Sequence, residues 1–339
     1  MSYQKMESVV EIFSTCPQSP DNEPADYARR VAEVAQWSEE YGCKGILVYS
    51  DNRLVDPWLV SQLILQETTR LCPLVAIQPL YMHPYAVANL VSSLAFLHGR
   101  RIYLNMVAGG FTTDLTSLRD TAPHDLRYDR LKEYTKIIKE LLAGMSINFE
   151  GAFYSVANLK LTPSLPPELF PGIFLSGSSE AGLEACRALG ATAIKYPKSA
   201  AEERDQDNGA VAPGIRVGII TRDDEEEAWA VAHERFPEDR KGQLTHQVAM
   251  KLSDSIWHKQ LSDLAKGTSE GRDPYWLVPF QNYKTFCPYL VGSYEVVSGE
   301  ITRYILAGYR TFILDIPPDR DELRHTAAVF NQAITEMAS

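Results

Sequence analysis

Short apolar runs alternate with longer amphipathic stretches along most of the chain. The run at 45–49 (GILVY) has no polar alternation, which is typical of a strand buried on both faces of a parallel sheet. The stretch before it, at 26–41, has apolar residues at helical spacing. Eight such apolar runs predict strands at 9–13, 45–49, 74–78, 102–107, 173–175, 191–195, 215–220 and 312–315.

Most of the segments between these runs predict helices. Asp56-Pro57, for example, is typical of an N-cap followed by proline at the first helical position. The predicted helices lie at 26–41, 56–70, 85–97, 127–143, 180–189, from 225 onwards, and at 321–337. Eight strand-then-helix units favour an α/β protein built as a (β/α)8 TIM barrel, since a doubly wound sheet usually has fewer strands.

Two stretches are too long for the simple repeat. Residues 146–163 contain two β-like runs around Gly151, which predict an inserted hairpin between the fourth helix and the fifth strand. Residues 236–300 predict a long excursion between strands seven and eight, and such insertions often act as lids. Within it we expect a helix at 245–265, a Gly/Ser/Arg/Asp-rich stretch at 266–274 and a second helix at 293–307. We expect one barrel domain over residues 1–339 that carries both insertions.

Composition narrows the classes of protein that fit. The 33 Lys and Arg residues against 44 Asp and Glu residues give a net charge of −11, which argues against nucleic-acid binding. The five scattered cysteines lack C-x-x-C spacing, and the seven histidines are dispersed, so we expect reduced thiols and no metal site. Since neither a signal peptide nor a membrane-length apolar run is present, we expect a soluble, cytoplasmic protein that is not inserted in a membrane.

In a barrel, the chemistry is expected at the carboxyl ends of the strands. Asn105, Val107 and Ala108 lead into paired glycines after strand four, which indicate either a close backbone approach to a ligand or an ordinary turn. The fifth strand ends in a run of small residues that leads into a helix: Ser176, Gly177, Ser178 and Ser179. Such a run is typical of a phosphate cradle at a helix N-terminus, or of simple N-capping by one of the serines.

Other polar candidates lie near the same end of the barrel. His124 and Tyr128 occupy the start of the helix after strand four, where they could face a ligand or only begin a helix. Arg216 lies one residue into strand seven. If it points into the barrel it is a buried cation that needs a partner, and if it points outward its guanidinium reaches water.

Taken together, these segments resemble the bacterial luciferase-like flavin monooxygenases, in particular the branch of alkanesulfonate, nitrilotriacetate and long-chain alkane monooxygenases. The matching segments keep their order and spacing at 45–60, 101–110, 124–128, 174–182, 215–229 and 307–316. The resemblance implies a two-component monooxygenase that uses reduced FMN (FMNH2) from a separate NAD(P)H:flavin reductase. The flavin would activate O2 as a C4a-(hydro)peroxide that oxygenates an organic substrate. A homodimer or homotetramer is expected.

The resemblance also implies roles for the candidate residues. Asn105, Val107 and Ala108 would lie along the isoalloxazine ring, and Tyr128 near the ring and phosphate. Ser176, Gly177, Ser178 and Ser179 would bind the cofactor, the last three by holding its phosphate. His124 and Arg216 would be the catalytic residues.

Three positions depart from the sulfonate enzymes. Leu54 replaces a cysteine, Gly218 a histidine and Pro317 a tyrosine, whereas Arg216 matches. Losing three polar groups implies a larger, more apolar pocket, and a bulky or carrier-tethered substrate in place of a small alkanesulfonate. Two alternatives stay open at this point: an F420-dependent oxidoreductase that transfers hydride, and a flavin-binding protein without turnover.

Overall fold

The computed structural model describes residues 10–109, 112–177, 179–203, 212–252 and 272–338, and its centre is a closed barrel of parallel strands. The strands are β1 (Glu11–Thr15), β2 (Gly45–Val48), β3 (Cys72–Ile77), β4 (Tyr103–Met106), β5 (Ile147–Glu150), β6 (Ser155–Leu159), β7 (Ile173–Ser176), β8 (Thr192–Lys195), β9 (Pro213–Arg222), β10 (Tyr275–Trp276), β11 (Tyr289–Ser293) and β12 (Thr311–Leu314). The barrel runs β1-β2-β3-β4-β7-β8-β9-β12 and closes from β12 back to β1. Each of these eight strands overlaps a predicted one, so the barrel prediction is confirmed.

Helices surround the barrel. They are α1 (Pro24–Glu40), α2 (Pro57–Glu67), α3 (Pro84–His98), α4 (Thr112–Ser117), α5 (His124–Leu142), α6 (Glu180–Leu189), α7 (Glu225–Arg235), α8 (Arg240–Leu252), α9 (Val278–Gln281), α10 (Tyr294–Leu306) and α11 (Arg320–Ala338). The predicted start of α2 is confirmed, since the Asp56 carboxylate accepts the Trp58 and Leu59 amides at 2.9 and 3.2 Å. Across the described ranges, the helices are all too short or too polar to cross a bilayer.

Large side chains fill the barrel interior. One cluster takes Phe13, Leu47, Cys72, Leu74, Tyr103, Phe174, Ile194 and Ile313 from seven barrel strands. The Phe13 ring lies 5.2 Å, centroid to centroid, from each of the Tyr103 and Phe174 rings. Because side chains alternate along a strand, residues two positions further on face the same interior nearer the carboxyl ends. This inward-facing position is polar or aromatic at Thr15, Tyr49, Asn105, Ser176, Tyr196, Arg216 and Asp315.

The predicted hairpin within 146–163 is confirmed. Strands β5 and β6 pair antiparallel, with Ile147 opposite Leu159. The loop between them is attached to α5, since the Glu133 carboxylate accepts the Ala152 and Phe153 amides at 2.8 and 2.9 Å.

The long insertion between β9 and β12 contains more structure than predicted. Strand β9 pairs with β12 along Gly214 to Val217, and from Gly218 to Arg222 it pairs with β11. Helix α8 begins before the predicted 245–265 helix, and 253–271 lies outside the described residues, as does most of the predicted 266–274 stretch. Helix α10 matches the predicted 293–307 helix. Strands β10 and β11 and the short α9 were not predicted.

Candidate functional site

Two groups of polar side chains lie at the carboxyl end of the barrel. The first, the β4–β7 group, contains Asn105, Tyr128, Ser176, Gly177 and Ser179. The second, the Arg216 group, contains Arg216, Tyr49, Thr285, Tyr289 and Asp315. Strands β4 and β7 are neighbours, whereas β9, which carries Arg216, is separated from β7 by β8.

Two side chains of the β4–β7 group meet across neighbouring strands. Asn105 is buried in β4, and the Ser176 hydroxyl at the end of β7 donates to its Oδ1 over 3.0 Å. This bond fixes the amide so that its nitrogen is the end that can donate to a ligand. The Val107 amide already donates to the Ile77 carbonyl at 2.9 Å, so Val107 offers a ligand its carbonyl and side chain. Ala108, the next residue, is buried.

Tyr128 is pressed against the loop that follows β7. A Cβ added to Gly177 would lie 2.4 Å from the Tyr128 hydroxyl, so only glycine leaves room for the phenol here. Burial raises the pKa of Tyr128, although a hydrogen bond with Ser179 acts in the opposite direction. The phenol therefore stays protonated at neutral pH, beside the backbone of the loop.

The serines of this loop have distinct positions. Ser179 is the N-cap of α6, and its hydroxyl accepts the Gly182 amide at 3.1 Å, so the N-cap alternative is correct for this residue. A capping hydroxyl still carries its own proton, and the α6 N-terminus keeps the positive end of the helix dipole. Ser178 lies outside the described residues.

His124 adjoins the β4–β7 group through Tyr128. It is the first residue of α5, and its ring centroid lies 5.1 Å from that of Tyr128. Its Nδ1 is 2.7 Å from the exposed Asp125 carboxylate. The structure thus places His124 at the outer edge of the group and not in its buried part.

Arg216 points into the barrel. Its side chain is 9% exposed, and its guanidinium lies 3.4 Å from the Asp315 carboxylate and 4.9 Å from the centroid of the Tyr49 ring. The inward alternative is therefore correct, and Asp315 is the partner that a buried cation requires. Within the described part of the chain, Arg216 Nε is buried without a hydrogen-bond acceptor.

Asp315 is held by groups from the insertion. Its Oδ2 accepts the Thr285 hydroxyl at 2.6 Å and the Tyr289 hydroxyl at 2.8 Å. Burial acts to raise the pKa of Asp315, but the charge of Arg216, these two hydrogen bonds and the charge of Arg235 outweigh it. The pKa is therefore below its usual value, and Asp315 is ionised at neutral pH.

The Tyr289 ring covers Gly218. A Cβ on Gly218 would lie 2.3 Å from Tyr289 Cζ, and β9 lies between β11 and β12 in the sheet. The missing Cβ thus lets the ring cross β9 and reach Asp315. The expectation of a larger pocket is wrong at this position, because the space that Gly218 leaves is filled by an aromatic ring.

A small pocket adjoins the Arg216 group between the loops that follow β1 and β2. Its cavity of about 10 Å³ has room for about one water molecule and is lined by Cys16, Pro17, Gln18, Ser19, Tyr27, Val48, Tyr49, Leu54 and Val55. Burial raises the pKa of Cys16, so its thiol is neutral. Leu54 lines this pocket together with polar side chains such as Gln18 and Ser19, and Tyr49 is shared between the pocket and Arg216.

Sequence reasoning missed four members of the Arg216 group: Tyr49, Thr285, Tyr289 and Asp315. Asp315 comes directly after the last strand, so the rule that chemistry lies at strand ends could have found it. Thr285 and Tyr289 lie in the insertion, and no local motif marks either of them.

Comparison with known proteins identifies relatives. The family model described as "luciferase-like monooxygenase" matches residues 9–310. The 4-(gamma-L-glutamylamino)butanoyl-[BtrI acyl-carrier protein] monooxygenase BtrO of Niallia circulans is 34% identical over 317 residues, covering 91% of this chain and 92% of BtrO.

Solved structures share the fold at low sequence identity. EDTA monooxygenase (EmoA) from Chelativorans sp. BNC1 is 17% identical, with a TM-score of 0.74 over 97% of this chain and 94% of that one. The coenzyme F420 dependent tetrahydromethanopterin reductase from Methanopyrus kandleri is 13% identical, with a TM-score of 0.64 over 97% and 99%. Since the same barrel occurs in a monooxygenase and in an F420-dependent reductase, the fold alone does not identify the cofactor.

Proposed function

Because the chain belongs to the luciferase-like monooxygenase family and is a flavin-dependent monooxygenase, we propose that it is a two-component, FMNH2-dependent enzyme. We further propose that it oxygenates an acyl group carried on an acyl-carrier protein. The observation that supports the FMN assignment is the β4–β7 group, where Tyr128, Gly177 and the α6 N-terminus lie together as a phosphate cradle would require.

The residues present fit a flavin phosphate. The first amides of a helix have no acceptor within the helix, and since Ser179 caps the Gly182 amide, those of Glu180 and Ala181 would be available to an anion. Gly177 allows close backbone approach, and the neutral Tyr128 phenol next to it supplies a further donor without adding charge. In this proposal Ser178 and Ser179 add hydroxyl donors.

The ring would lie over the packed interior of the barrel. The Phe13, Tyr103 and Phe174 rings form an apolar floor that excludes water from below. Asn105, fixed by Ser176, would donate to the polar edge of the ring. When bound, reduced FMN supplies the activation of O2 and the transfer of one oxygen atom, and the protein supplies binding, orientation and exclusion of water. An NAD(P)H:flavin reductase is the proposed source of the reduced cofactor.

The carrier-tethered substrate is supported by the relative BtrO. BtrO acts on an acyl group attached to an acyl-carrier protein, and the likeness extends over nearly all of both chains. The small pocket beside Tyr49 and Leu54 lies at the barrel mouth, which is where we propose that an acyl chain on a flexible arm enters. We propose His124 and Arg216 as the residues that act on the reacting groups.

A labelled-oxygen experiment tests this function. The full chain is supplied with FMN, NADH, a flavin reductase, 18O2 and 4-(γ-L-glutamylamino)butanoyl carrier protein, and the acyl product is analysed by mass spectrometry. We expect one 18O atom in the product and none when reduced F420 replaces the FMN and reductase. If reduced FMN is oxidised by 18O2 but no acyl product carries 18O, the proposal is contradicted. Substrate reduction by F420H2 without O2 would support a hydride-transfer enzyme.

A further inference from the structure

The charges near Arg216 are balanced along one chain of contacts, which is largely buried except at the exposed Glu227. The cations are Arg216, Arg222 and Arg235, and the carboxylates are Asp315, Glu322 and Glu227. Arg216 pairs with Asp315, and Arg235 lies 3.6 Å from Glu322. Arg222 contacts both Glu322 and Glu227. The three positive and three negative charges of these six side chains cancel, so together they add no net positive charge beside Arg216.

A buried arginine at the barrel mouth would bind anions if no carboxylate were paired with it. Its planar guanidinium binds carboxylate, phosphate or sulfonate oxygens with two parallel hydrogen bonds. Here Asp315 already faces Arg216, and both side chains are at least 86% buried, since their exposed fractions are 9% and 14%. An anionic group brought to Arg216 would meet the Asp315 carboxylate in a poorly screened environment, where like charges repel strongly.

Asp315 cannot turn away from Arg216 without losing other contacts. Thr285 and Tyr289, both from the insertion, donate to its second oxygen. Tyr289 is itself fixed, since its ring lies over Gly218 and its hydroxyl accepts from Arg235 at 3.4 Å. The carboxylate is therefore held in one orientation from two sides.

We propose that Asp315 is a positioning and specificity-determining residue of the substrate site. It holds Arg216 at the barrel mouth and cancels its charge, so that the mouth beside Tyr49 accepts an acyl chain whose end has no net charge, a zwitterionic γ-glutamyl end included, and rejects a chain that ends in a lone anion. This inference rests on the proposed function in one respect, namely that substrate enters this mouth.

Two probes with the same alkyl chain test the inference: octanamide, which is neutral, and 1-octanesulfonate, which is anionic. Their affinities are measured by calorimetry on the full chain without flavin. We expect the wild type to bind octanamide at least about tenfold more tightly, a difference of about 1.4 kcal/mol. Asp315→Asn should bind octanesulfonate about tenfold more tightly than the wild type does. Asp315→Glu should restore the wild-type preference, and Asp26→Asn, at an exposed site on α1, should leave it unchanged.

The inference is overturned if the wild type prefers octanesulfonate, binds the two probes equally, or fails to bind octanamide. An unchanged preference in folded Asp315→Asn also overturns it. Should Asp315→Asn not fold, the comparison of probes on the wild type still decides. Because no flavin is present, failure of the proposed function appears separately, as absence of oxygen transfer by an enzyme whose probe preference is as expected.

Discussion

The two sides of the barrel mouth are built by different means. The β4–β7 group uses hydroxyls, a glycine and a helix terminus, and Gly177 and Ser179 lie within three positions of each other on one loop. The Arg216 group uses buried charges from distant parts of the chain. Arg216 and Asp315 are 99 positions apart, and the insertion supplies Thr285 and Tyr289.

In our proposals this difference separates cofactor binding from substrate selection. A neutral cradle with a helix dipole accepts an anionic phosphate without a buried charge of its own. A buried ion pair is costly to assemble, and removing one partner leaves the other uncompensated. We therefore expect the β4–β7 group to tolerate substitution at modest cost, and the Arg216 group to be sensitive to it.

The largest expected effect is on the charged side. Asp315→Leu leaves Arg216 buried without its partner and removes the acceptor of Thr285 and Tyr289. We expect a loss of about 3–5 kcal/mol in the free energy of unfolding, measured by urea denaturation. Asp26→Asn removes an exposed ion pair with Arg29 and should cost less than about 1 kcal/mol. Similar losses for the two variants would contradict the account.

Comparing the wild type with Asp315→Leu at different pH values gives a second test. Since the pKa of Asp315 is lowered in the folded protein, its ionisation contributes stability fully above the pKa of an unfolded aspartate, about 3.9. That contribution is lost as the pH falls through the folded-state pKa. The gap in stability between the wild type and Asp315→Leu should therefore narrow in acid, and a gap independent of pH would contradict the assignment.

A smaller effect is expected where the Tyr289 ring crosses β9. Gly218→Ala places a methyl group within 2.3–2.5 Å of the ring, so we expect a loss of about 1–3 kcal/mol in stability. Gly299→Ala is the matched control, because a Cβ there meets nothing within 4 Å. In the middle of α10 it should be neutral or stabilising by up to about 1 kcal/mol.

A double-mutant cycle sharpens this prediction. In a Tyr289→Ala background the added methyl group has room, so Gly218→Ala should cost much less than in the wild type. A coupling energy of at least about 1 kcal/mol is expected from urea denaturation. Equal losses in the free energy of unfolding in the two backgrounds would show that the position of the Tyr289 ring does not depend on Gly218.

The barrel was predictable because its strands are uninterrupted apolar runs separated by helices with ordinary start signals. The run 45–49 and the Asp56-Pro57 cap are examples, and both appear in the structure. Strand β11 was not predictable in the same way. Its apolar run from Tyr289 continues at once into α10, so the sequence pattern there favours a longer helix or a loop equally well.

The same distinction, between features with a local sequence pattern and features without one, applies to the site. The run Ser176 to Ser179 is a local motif, and its position after a strand and before a helix predicted either a phosphate cradle or a helix N-cap. A buried cation at Arg216 indicated that a partner was needed, but not which one. The identity of that partner depends on the path of the insertion, and Tyr289 fills a space that Gly218 alone suggested was open.

Anaerobic titration with reduced FMN tests the central claim, that the β4–β7 group holds the cofactor. The wild type should bind one equivalent, and Tyr128→Phe should bind more weakly by about 1 kcal/mol, since a donor beside Gly177 is removed. Tyr134→Phe, on the same helix, loses a bond to the Met82 carbonyl instead and should bind as the wild type does. No binding of reduced FMN, or equal affinity in the wild type and Tyr128→Phe, would contradict the account.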